Sequence, residues 1–80
     1  MSEVDLYTKF KQAEVTHKDF IIAVQTDEKF VLFEPDCMLV SEFLAKRPIM
    51  VNRRWLMILS QAEMEKLKTA WGPILYIVIE

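Results

Sequence analysis

Eighty residues suffice for one domain, and a hydrophobic fraction of 52% with five Met, five Phe, two Trp and two Tyr is more apolar material than so small a body readily hides. Twelve acidic against ten basic residues give a net charge of −2, which argues against the broad positive field of a dedicated nucleic-acid binder but leaves room for a local patch. One cysteine, Cys37, excludes an internal disulfide, and one histidine, His17, excludes an ordinary Cys/His zinc site.

The start of the chain has no basic segment followed by an apolar one, and the longest uninterrupted apolar run, Ile74 to Ile79, is far too short for a membrane span. The expectation is a cytoplasmic protein with no membrane, metal or cofactor. A single Gly and three Pro leave no low-complexity stretch and no linker, so residues 1–80 read as one domain.

Ser2-Glu3-Val4-Asp5 reads as a helix N-cap with Asp5 in the returning position, and Leu6, Phe10 and Ala13 follow at helical spacing beside Tyr7. A helix from Glu3 to Glu14 is predicted. Lys9 and Lys11 interleave with Tyr7 and Phe10, a pattern able to stack bases between cations, although an amphipathic helix with solvated lysines explains it more simply. Phe20 to Val24 and Phe30 to Phe33 are β-branched and aromatic, and the polar Thr26-Asp27-Glu28-Lys29 between them predicts a hairpin. No Asn-Gly fixes its turn type.

Pro35 ends the second strand because it lacks an amide to donate, and Asp36 is a suitable N-cap for a short helix from Cys37 to Lys46. Leu39, Val40, Phe43 and Leu44 are its expected apolar face, with a strand over Cys37 to Val40 as the competing reading. Pro48 stops the helix at or before Arg47. Ile49 to Val51 and Trp55 to Leu59 are then read as a hairpin turning at Asn52-Arg53, in preference to one long bulged strand.

Ser60 and Glu63 have capping-box spacing, and Met64, Leu67 and Trp71 form one stripe of a helix from Ser60 to Trp71. Gly72 is expected to adopt the left-handed C-cap conformation before Pro73, after which Ile74 to Ile79 is a strand apolar on both faces and so covered on both. If that strand is parallel to Trp55 to Leu59 in one sheet, the connection is a right-handed crossover. The fold class is α+β, a mixed or antiparallel sheet of four to five strands with two to three helices mainly on one face.

Candidate chemistry is sparse. Lys46, Arg47, Arg53, Arg54 and Trp55 are the densest basic-aromatic cluster, and guanidinium planes beside an indole can hold phosphate and stack on a base. Cys37 at a helix start could be an activated thiol or a small buried hydrophobe, and His17 has no nucleophile placed beside it by sequence. Glu34 with Asp36, and Asp27 with Glu28, lack metal-loop spacing, and one glycine cannot build a phosphate-cradling loop.

The Met residues are core fillers singly and suggest an adaptable binding surface as a set. The last strand has no following tail in the sequence to cover its edge. The leading expectation is therefore a non-catalytic protein-protein interaction protein, homodimeric, acting as an adaptor or inhibitor of a larger partner. Tyr76, Val78, Trp55 and Met57 form its expected contact surface, with Arg53 and Arg54 as a polar rim. A nucleic-acid module on the basic cluster is the second expectation, and a small-molecule sensor with an aromatic pocket is the third.

Overall fold

In the computed structural model, which describes residues 3–79, five strands form one mixed sheet in the order β3-β4-β2-β1-β5. Helix α1 spans Glu3–Thr16, strands β1 and β2 span Ile21–Thr26 and Lys29–Phe33, and α2 spans Asp36–Leu44. Strands β3 (Ile49–Val51) and β4 (Arg54–Leu59), helix α3 (Gln61–Trp71), a single 3-10 turn (Gly72–Ile74) and β5 (Leu75–Ile79) complete the chain. The α+β reading holds in full: β1 pairs antiparallel with β2 and parallel with β5, and β4 pairs antiparallel with both β2 and β3.

Alternation along the central strands divides the interior into two layers. Ile21, Ala23, Phe30, Leu32, Met57 and Leu59 face α2 and α3, meeting Cys37, Val40, Met64 and Leu67. Ile22, Val24, Val31, Phe33 and Leu56 face α1 and meet Leu6 and Phe10. Two helices thus share one face and the third covers the other, which is why the strands nearest the centre read as continuous apolar runs. The space under α1 is filled by rings: Phe10 and Tyr7 lie 5.4 and 5.2 Å from Phe33, the Tyr7 contact being edge-on.

Several local expectations are corrected. Helix α1 runs to Thr16, two residues past the predicted end, and its Ser2 cap lies outside the described residues. Asp36 does not cap α2; its Oδ2 instead accepts the Ile22 amide of β1 at 3.0 Å. Docking of α2 on the sheet turns Cys37, Val40 and Leu44 inward and leaves Leu39 (56% exposed) and Phe43 on the outer face. The helix stops at Leu44 because Ala45 takes a left-handed φ of 53°, which lets the Lys46 amide donate back to Ser41 O.

The Asn52-Arg53 hairpin is present, with Val51 opposite Arg54 and both turn residues left-handed. The capping box of α3 is complete, the Glu63 amide donating to Ser60 Oγ at 3.2 Å and the Ser60 amide to Glu63 Oε1 at 2.9 Å. Gly72, expected to be left-handed, has φ −48° and ψ −45°. Pro73 does not end the coil there, because as a first-turn residue of the 3-10 segment it has no amide that needs a partner. Among the described residues no helix is long and apolar enough to cross a membrane.

Candidate functional site

The sheet order places β5 at one edge and β3 at the other, and the two edges differ. Strand β3 is three residues long and sits between Pro48 and a tight turn bearing Arg53 and Arg54, features that blunt an edge. Strand β5 has five residues, Leu-Tyr-Ile-Val-Ile, with no charge and no proline. Its inner edge pairs with β1, Leu75 opposite Ile21 and Ile79 opposite Gln25. Among the described residues no strand lies beyond its outer edge, so half of its backbone donors and acceptors face outward.

Its side chains are only partly covered. Leu75 and Ile77 pack at the margin of the α2/α3 layer and Val78 at the margin of the α1 layer, whereas Ile79 is 77% exposed. Tyr76 is roofed by His17, whose ring stacks on it at 3.8 Å and 14°, with Phe20 edge-on to both. His17 Nδ1 lies 2.9 Å from Thr16 Oγ1 and 3.3 Å from Ala13 O. The single histidine therefore closes the end of α1 onto β5, a partner that the sequence did not place beside it.

The expected contact surface does not assemble as one patch. Met57 is 1% exposed, held in the core opposite Leu32, and offers nothing to a partner. Trp55 lies on β4, three strand spacings or about 14 Å from β5. By alternation it faces the α2/α3 side, whereas Tyr76 and Val78 face α1. Only Tyr76 and Val78 share the β5 edge. The residues that sequence reasoning missed there are Leu75, Ile77 and Ile79, and the signal was the absence of any charge across the run.

The basic cluster is likewise divided. Lys46 Nζ donates to Ile58 O at 2.7 Å and to Glu63 Oε1 at 2.9 Å. Arg54 lies over the Tyr7 ring at 3.9 Å, on the α1 side, so it and Trp55 project from opposite faces of β4. Arg47 and Arg53 are exposed on separate loops. Tyr7 and Phe10, the rings between Lys9 and Lys11, turn inward onto Phe33.

Cys37 is fully buried, and burial first, then the neighbouring Glu34 and Asp36 charges, push its thiol up to about 11. That is the reverse of an activated nucleophile. Burial also raises the Asp36 carboxyl above its ordinary value, opposed by the hydrogen bond from Ile22. Among the described residues no three His, Cys, Asp or Glu side chains gather into a metal-holding group. A surface concavity of about 620 Å³, lined by Leu6, Val31 and Ile58 beneath the Thr26 to Lys29 turn, is an open groove.

Other apolar residues are exposed singly or in small groups: Met38, Leu39 and Phe43 on α2, with Phe43 5.0 Å from Trp71, and Met50 on β3 (51% exposed). Those on α2 leave the backbone of their helix satisfied, and Met50 lies on the short β3 edge. Among the described residues, the β5 edge alone combines exposed apolar side chains with a row of outward backbone groups on a strand of ordinary length. No protein-family model and no curated protein matches this chain, so its functional reading rests on that edge.

Proposed function

We propose that this chain is a non-catalytic protein-interaction domain, an adaptor or an inhibitor of a larger partner, and that it accepts a partner's β-strand along the outer edge of β5. The observation that carries the reading is an uncharged five-residue edge strand with its outer backbone groups turned to solvent. Strand addition supplies main-chain hydrogen bonds for affinity and side-chain contacts on both faces for selectivity. The inert Cys37 thiol and the structural use of His17 and Lys46 support a binding role over a catalytic one. A single buried cysteine also suits a reducing compartment such as the cytoplasm.

The test combines light scattering after size exclusion with binding of an apolar fluorescent dye, on wild type and Ile79→Lys. Ile79 is exposed enough that a lysine there leaves the fold, read by the thermal midpoint, unchanged. Self-association, or dye binding by the monomer, that Ile79→Lys weakens is the expected result. A wild-type monomer that binds no dye at high concentration overturns the reading.

A further inference from the structure

The free edge also specifies what fits it best. We infer that the strand accepted by β5 is β5 of a second copy, joined antiparallel about a two-fold axis through Ile77 into one continuous ten-stranded sheet. This rests on the interaction reading above and names its partner. Identical strands related by a two-fold axis in a sheet run antiparallel, and the axis sets Leu75 against Ile79 of the second copy, Tyr76 against Val78 and Ile77 against itself.

Each of those pairs is apolar, and each falls on a single side of the sheet. Leu75, Ile77 and Ile79 continue the α2/α3 layer across the seam, while Tyr76 and Val78 continue the α1 layer. The strand is therefore complementary to itself in every position. It carries no charge that repels a copy of the same net −2 protein, and none that selects an oppositely charged stranger.

The second edge of the sheet bears on the same point. Pairing of β3 with β5 of a neighbour would leave a further edge open and propagate, whereas pairing of β5 with β5 closes. The short β3, guarded by Pro48 and the Arg53-Arg54 turn, disfavours the open arrangement. A five-residue ladder is a small interface, so the dimer is expected to form at high protein concentration.

Two experiments on the full chain decide it. In light scattering the wild type has twice its 9.5 kDa mass, and Ile79→Lys, which sets an ammonium against Leu75 of the second copy, raises the dissociation constant on the order of ten-fold or more. For the register, Leu75→Cys and Ile79→Cys proteins are oxidised separately and mixed. Directly opposed antiparallel residues have Cα atoms about 4.5–5.5 Å apart, within the roughly 4.4–6.8 Å of a disulfide. Crosslinked dimer is expected in the mixture and not in either protein alone, Cys37 being buried.

A dimer whose mass ignores Ile79→Lys overturns the proposal, as does crosslinking of Ile79→Cys with itself in preference to the mixture. A monomer that binds apolar dye, lost in Ile79→Lys, overturns the second copy as partner but leaves the interaction reading standing. A monomer that binds none removes both.

Discussion

Lys46 and Glu63, 17 positions apart, join the end of α2 to the start of α3 through a 2.9 Å ion pair. The same Glu63 oxygen accepts the Ser60 amide, so one carboxylate serves both the capping box and the clamp. Those two bonds, the Ser60 amide first, hold the Glu63 carboxyl below its ordinary value. A depressed carboxyl contributes stability above its unfolded value and loses it as pH falls through its folded value. Lys46→Met should cost less than about 1 kcal/mol at neutral pH, since both side chains are about a third exposed. Ser60→Ala should cost about 1 kcal/mol. Urea titrations at neutral and acid pH check both: the deficit of Lys46→Met shrinks as Glu63 is protonated.

Gly72→Ala should stabilise the protein by about 0.4–1 kcal/mol. The residue has right-handed helical angles, and a Cβ built on it meets nothing within 4 Å. A left-handed Gly72 predicts a loss instead, so the sign of the shift in urea midpoint separates the two conformations.

Arg53→Gly should also stabilise, by about 0.5–1 kcal/mol, because Asn52 and Arg53 both occupy the left-handed region, with φ of 50° and 64°. An Asn-Gly pair suits that turn, and the added freedom of the unfolded chain offsets part of the gain. Thermal unfolding of the variant measures it. A lower midpoint would show that the Arg53 side chain contributes more than its backbone strain costs.

Asp36 separates hydrogen bonding from charge. Asp36→Ala leaves the Ile22 amide without its acceptor and should cost about 1–2 kcal/mol. Asp36→Asn keeps an acceptor and removes a carboxylate that burial disfavours, so at neutral pH it should match or exceed wild type. Because the folded carboxyl is raised, the native state binds this proton more readily than the unfolded state. Its contribution to wild-type stability is therefore largest below the ordinary carboxylate range and declines as pH rises through the raised folded value. Asp36→Asn lacks that decline, which denaturation across the interval resolves.

The elements were legible in the sequence where local chemistry decides them. The Ser60/Glu63 box needs only two residues three apart, and the Asn52-Arg53 turn follows from two apolar runs set close together. What escaped depends on distant chain. Asp36 reads as a cap until Ile22, 14 positions away, supplies an amide for it. Leu39 and Phe43 fit a buried stripe as well as Cys37 and Val40 do, and only the docking of α2 against distant strands decides between them.

The candidate site was harder. Tyr76 and Val78 were found from the composition of their strand, but Trp55 and Met57 were joined to them on the assumption that neighbouring apolar runs make one patch. Strand order, which no local pattern encodes, set two other strands between them. Alternation alone would have warned that Trp55 and Met57 share a face and that Arg54 points away from both.

Strand β5 lies beside β1, which is made before it, and β4 lies beside β2. The β1-β2 hairpin therefore emerges from a ribosome with both of its flanks bare, and each flank waits for a segment from the later half of the chain. Nascent chains must pass through a stage in which β1 itself is an exposed edge, with Ile21 to Val24 as its apolar part.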